Sequence, residues 1–322
     1  MILATKAAVA HSGAAGLPYQ WVVGGSNGRL RTSTSTTANS WTSQTSSFGS
    51  TDIYGIASNA LNLYVAVGGS GKLATSPDGI TWTQRTSSFS SSRISGISWS
   101  GTYWVACGDD GKIATSTDGI TWTQRTSGET SALYSSAYGN GVYVVAGFDK
   151  MRTATDPTST WTSRTSTLAY VMSSNDAVYY APDQAIWVAG TDGTFSGTST
   201  GTLASSTDGT SWTGRNSPFT IKYFARGAFT STASVIVGGI EVDSGVLDIC
   251  SSTNGTTWSN RTPADTSENS YFAAVDDLGT MIVGASKIQS STNGSSWTDQ
   301  GEIDGGVLYY CGCHSAGKPA IR

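Results

Sequence analysis

Short apolar runs closed by glycine recur along the chain: WVVGG, YVAVGG, WVACG, YVVAG, IWVAG, VIVGG and MIVGA. Runs of this length, rich in Val, Ile, Trp and Tyr and bounded by glycine, read as buried β-strands. A weaker strand pattern precedes them, as in IYGIAS, ISGISWS, LYSSAYG and YFAAV, and two more follow, as in KLATS and TWTQRTS. One unit therefore predicts four short strands.

The link between third and fourth strands is the most repetitive stretch. Its copies read STSTTANSWTSQ, SPDGITWTQR, STDGITWTQR, TDPTSTWTSR, STDGTSWTGR, STNGTTWSNR and STNGSSWTDQ, with tryptophans at Trp41, Trp82, Trp122, Trp161, Trp212, Trp258 and Trp297. Five copies place Asp or Asn before Gly, at Asp78, Asp118, Asp208, Asn254 and Asn293. Asp-Gly and Asn-Gly between strands predict a two-residue hairpin with both central residues at positive φ. A Ser or Thr two residues earlier can bond turn backbone, and the Trp three residues after Gly can cap the blade. Burying one such Trp is worth about 4–6 kcal/mol before entropy is subtracted.

Four-stranded units repeated seven times predict an all-β fold, a seven-bladed β-propeller of four-stranded antiparallel blades. A linear β-solenoid is the alternative, with coils usually shorter than this unit. The ends suggest how the ring closes. VLYYCG near the C-terminus matches a first strand, but Pro319 stands where its second strand would need a ladder N–H. YQWVVGG near the N-terminus is a second strand without a first. Residues 306–313 are therefore expected to pair beside residues 19–25, with residues 1–16 as an N-terminal arm and residues 17–322 as the propeller. KAAVAH is the competing first strand.

The hairpin phrase resembles the Asp-box of BNR and sialidase-type propellers, S-x-D-x-G-x-T-W, one residue tighter. YVAVGGSGKLATSPDGITW looks more like the repeats of bacteriophage virion and tail-associated propellers and of photosystem assembly factors, over residues 19–314. The phage resemblance implies a virion or tail structural protein, made in the host cytoplasm, that attaches to bacterial surface glycan or decorates the particle. The implied partners are other virion or tail proteins, contacted through the N-terminal arm. The sialidase resemblance implies an arginine triad, a Tyr–Glu pair and an Asp acid. Here Arg85, Arg125, Arg164, Arg215 and Arg261 share one repeat position, three after the Trp, and the F/Y-R-I-P signature is missing.

Composition narrows the remaining classes. A net charge of −4 without basic runs argues against nucleic-acid binding. No apolar run is long enough to span a membrane, and MILATKAAVAHSGAAG is a poor secretory signal. Four Cys are too few for a disulfide scaffold. Glu129, Glu241, Glu268 and Glu302 pair uniquely with no Asp, so a glycosidase lacks support. Cys311 and Cys313 would face opposite to His314 on a straight strand, and Asp109–Asp110 and Asp276–Asp277 lack a calcium loop. No catalytic residue, cofactor or metal is expected. A stand-alone multivalent lectin, a glycoside hydrolase and a protein-binding scaffold remain the alternatives.

Insertions mark the candidate surface. From the Gly of the second strand to the blade Trp is 14 residues in three units, but 22 in the fifth and 20 in the sixth. Both insertions fall between second and third strands, on adjacent blades. Their committed residues, Asp192, Phe195, Glu241 and Asp243, are the candidate ligand or partner contacts. Phe48, Phe89 and Phe219, seven residues after a blade Trp, are expected to pack between blades rather than stack on sugar.

Overall fold

The computed structural model describes residues 20–59, 63–147, 150–164, 178–182, 184–190, 203–215, 223–229, 235–240, 247–264, 272–275, 280–284, 286–304 and 308–314. Its strands form seven four-stranded antiparallel sheets. Six of them use four strands consecutive in the chain. The other takes Tyr309–His314 from the C-terminal end and sets it beside Trp21–Gly25, followed by Leu30–Ser33 and Thr42–Gln44. Trp21 lies opposite His314 and Gly24 opposite Cys311. KAAVAH lies outside the described residues.

The first strands of successive sheets touch one another in turn: Ile53–Ser58, Ile94–Trp99, Leu133–Gly139, Val178–Ala181, Tyr223–Phe229, Phe272–Val275 and Tyr309–His314. The last touches the first, so the sheets stand as blades around a closed ring. Antiparallel pairing then fixes the two faces. Links between first and second strands, and between third and fourth, emerge on one, here called the turn face. Links between second and third strands, and from one blade to the next, emerge on the other, the loop face. Residue 20 begins a second strand and residue 314 ends a first strand, so both leave the ring on the turn face.

The repeated tryptophans join blades. Trp82 packs with Val22 and Leu30 of the preceding blade, Trp122 with Val65 and Leu73, and Trp161 with Val105 and Ile113. Trp212, Trp258 and Trp297 continue the series, and Trp41 closes it against Ile282 and Ile288. The apolar face with which each Trp caps a blade thus fills the interface with the preceding one. Phe48 and Phe89 are buried in these same interfaces, while Phe219 lies outside the described residues.

The turn itself also differs from the expected two-residue hairpin. Strand pairing stops at Thr75 opposite Thr83, leaving a wide loop in which Gly79 has positive φ and Asp78 does not. The carboxylate explains the difference. Asp78 Oδ1 accepts the N–H groups of Ile80 and Thr81 at 2.8 and 2.7 Å and the Ser76 hydroxyl at 2.9 Å. An acceptor inside the loop holds it open, and the open loop carries Trp82 out to the next blade. Its indole N–H returns to Gly79 O at 3.0 Å. Asp118 and Asp208 repeat this bonding, and Asn254 and Asn293 supply the same oxygen without charge. Glycine is required here: at Gly119 φ is +72°, and a Cβ would fall 2.6 Å from Leu63 Cδ2.

The arginines three residues after the Trp serve the blade too. Arg85, Arg125, Arg164, Arg215 and Arg261 each donate Nε to a third-strand hydroxyl, from Thr75 in the first case to Ser251 in the last. Gln44 and Gln300 do the same with an amide in the other two blades.

Candidate functional site

On the loop face the first strands of several blades begin with a shared irregularity. Pairing slips between Ile53 and Gly55, between Ile94 and Gly96, between Leu133 and Ser135, and between Tyr309 and Cys311 of the closing strand, a β-bulge at equivalent positions in four adjacent blades. A bulge leaves one residue out of the ladder and re-aims its side chain. The bulged residues are Tyr54, Ser95, Tyr134 and Tyr310. Tyr54 and Tyr134 are half-buried, and between them lies Arg93, from the loop entering the blade between theirs.

Arg93 is held from both sides. Its guanidinium carbon sits 5.4 Å from the Tyr54 ring centroid and 5.2 Å from that of Tyr134. Nη2 and Nε reach Asp109 Oδ1 at 3.0 and 3.3 Å. The pair remains accessible, with side chains 33 % and 37 % exposed. Aromatic faces attract a cation, so the guanidinium is fixed in orientation while still open to solvent. The Tyr54 hydroxyl meets Asp52 at 3.3 Å, and its pKa is raised by burial and by the Asp52 charge, against the pull of Arg93.

Further charges ring the same face. Ser92 donates to Asp110 at 2.6 Å, which with Lys112 holds the Asp110 carboxyl below its usual range. Arg152 meets Glu129 at 2.6 Å in the fourth blade. Arg29 and Arg31 of the first blade both meet Asp304. These residues have no counterpart in every blade: the position of Arg93 is Asp52 in one neighbour and Ala132 in the other.

The residues proposed from the insertions, Asp192, Phe195, Glu241 and Asp243, lie outside the described residues, as do Glu268, Asp276 and Asp277. The positions shared among the repeats, from Trp82 to Asn293, are brought together as interface and turn. The closing strand contains Cys311, Cys313 and His314 and is described by its backbone. Among the described residues no three potential metal ligands converge, and no helix is long and apolar enough to cross a membrane. Arg93 escaped a search for shared residues because its signal is its difference. An alignment of the repeats that scored departures would have exposed it.

No protein-family model matches the chain, and no curated protein matches it in sequence. Solved structures share its shape. YCF48 from Cyanidioschyzon merolae is 17% identical, with 77% of this chain and 84% of that one covered at a TM-score of 0.56. YCF48 bound to a D1 peptide is 19% identical, covering 77% and 81% at 0.57. An inactive virginiamycin B lyase from Staphylococcus aureus, with quinupristin, is 11% identical, covering 79% and 85% at 0.63. At these identities the likeness shows the β-propeller fold.

Proposed function

We propose that this is a non-catalytic binding propeller that recognises its partner with the loop face. The observation that carries this reading is Arg93, an arginine without a counterpart in the neighbouring blades, held between Tyr54 and Tyr134 beside Asp109 on the loop face. Stacked arginine and tyrosine are the residue types that dominate recognition surfaces. The carboxylates support it as well. Asp78, Asp118 and Asp208 are turn acceptors, Asp109, Glu129 and Asp304 are paired with arginines, and none of these stands as a free acid beside a base.

The narrower role is that of a virion or tail-associated propeller, attaching to bacterial surface glycan or decorating the particle. Support for it is the wording of the repeat, YVAVGGSGKLATSPDGITW. A protein-binding scaffold is the second reading, favoured by the similar YCF48 that holds a D1 peptide. Glycan-array and whole-cell binding of the purified protein, beside peptide arrays, separates them. Glycan or cell binding supports attachment, and peptide binding alone supports the scaffold. Measurable hydrolysis of any bound glycan would overturn the non-catalytic reading.

A further inference from the structure

The first and fourth blades place an arginine at the same repeat position and balance it differently. Arg31 and Arg152 stand where two regular blades have Ala74 and Ala114. In the fourth blade the accounts are even: Arg152 meets Glu129 through Nε at 2.8 Å and Nη2 at 2.6 Å, and Nη2 also reaches Gly128 O at 3.1 Å. That pair is largely buried, at 16 % and 9 % side-chain exposure.

In the first blade one carboxylate serves two cations. Asp304, from the equivalent loop, accepts Arg29 Nη1 at 2.7 Å and Arg31 Nη2 on the same oxygen, Oδ2. The Tyr309 hydroxyl approaches that oxygen at 3.5 Å. Burial tends to raise the Asp304 carboxyl, and the two arginines outweigh it and bring it below its ordinary range. Although Asp52 Oδ1 accepts the N–H of Asn27 at 2.8 Å nearby, one positive charge is left over within the cluster of Arg29, Arg31 and Asp304. It lies on a cleft of about 390 Å³ lined by Arg29, Arg31, Asn27, Ser43, Gln44 and Ser46 among others. Each guanidinium has five N–H donors in a planar fork that matches an oxyanion, and one donor of each is spent on Asp304.

We infer that this cleft is an oxyanion subsite, taking a carboxylate or phosphate group, with Arg29 and Arg31 as its ligands and Asp304 as the competitor that limits its affinity. Charge-assisted hydrogen bonds from both arginines hold the anion, and the polar lining accepts the rest of a hydroxylated molecule. The subsite is defined by a small anion and is measurable without any macromolecular partner. Its failure therefore leaves the partner-binding reading of the loop face standing, and the reverse also holds.

The test is calorimetric titration of the full chain with inorganic phosphate and with glucuronate at constant ionic strength, with glucose as the neutral control. Saturable binding of one or both anions is expected, and none of glucose. The preferred anion tells whether the natural group is a phosphate or a sugar carboxylate. Arg29→Ala and Arg31→Ala are each expected to weaken binding about tenfold or more, and Arg152→Ala, at the balanced pair, to leave it unchanged. Asp304→Asn should tighten binding severalfold, an effect that a purely structural role would not give. Absence of saturable anion binding would overturn the subsite. So would equal weakening by Arg152→Ala, or weaker binding by Asp304→Asn. Should Arg31→Ala fail to fold, the exposed Arg29 and the Asp304 variant decide the matter.

Discussion

The two faces of the ring use polar residues in opposite ways. On the turn face the same atoms recur from blade to blade: Asp78, Asp118 and Asp208 each accept two backbone N–H groups at 2.7–2.8 Å, and each presents a Trp to the preceding blade. On the loop face equivalent positions hold Asp52, Arg93 and Ala132, and each makes different neighbours. Repetition is what a ring of similar interfaces needs. Divergence at one rim serves no interface in common, and it is there that recognition is assigned.

The largest expected effect tests the turn face. Trp122→Ala should cost about 3–5 kcal/mol, as a buried aromatic truncated against Val65 and Leu73. Trp41 is only half-buried at the closing seam, so Trp41→Ala should cost clearly less; denaturant unfolding measures both. Equal costs would break the link between burial and ring cohesion. Gly119→Ala comes next, at about 1–3 kcal/mol, because its backbone conformation is left-handed and its Cβ would meet Leu63.

Asp118→Ala should cost about 1 kcal/mol, the usual worth of a side-chain acceptor for orphan backbone donors. Its pH dependence sharpens the point. Burial raises the Asp118 carboxyl, but the N–H groups of Thr121 and Ile120 and the Ser116 hydroxyl outweigh it and bring it to about 2. A depressed folded-state pKa means stability that is present above the ordinary carboxylate value of about 4 and lost as the pH falls toward about 2. Asn254 and Asn293 make the same turn without a titrating group. Asp118→Asn should therefore keep the turn at neutral pH and abolish its acid sensitivity. Exchange of the Ile120 and Thr121 amides between pH 4 and 2 checks this, and unchanged acid loosening in the Asn variant would contradict it. The smallest effect belongs to the loop face. Arg93→Ala should change stability by about 1 kcal/mol or less, the range for an accessible ion pair.

Blade architecture was legible because it repeats. The Trp at 82 or 122 and the glycine-ended strand before it recur often enough to count, and the terminal halves YQWVVGG and VLYYCG showed which strands lacked a partner. The turn type was misread because Asp-Gly carries two meanings. In a tight hairpin both residues take positive φ, whereas here Asp78 turns its carboxylate inward and only Gly79 takes it. Nothing in the dipeptide separates these. The Trp three residues later does, since a large apolar group needs a loop wide enough to reach another blade. Arg93 and the Arg29–Arg31–Asp304 cluster were illegible for a different reason. Arg93 meets rings from the blades on either side of its own, and Arg29 lies 275 positions from Asp304, so that pair is brought together only by ring closure.

The central claim is that recognition resides on the loop face and is separable from the fold. Its most direct test is whole-cell and glycan-array binding by Tyr54→Ala/Arg93→Ala, compared with the turn-face variant Ile80→Ser/Ile120→Ser and with the unaltered chain. Ile80 and Ile120 are exposed, at 46% and 44%, so both double variants should fold and melt near the parent temperature. The account predicts binding lost in the loop-face variant and retained in the turn-face variant. Binding retained by the first and lost by the second would contradict it.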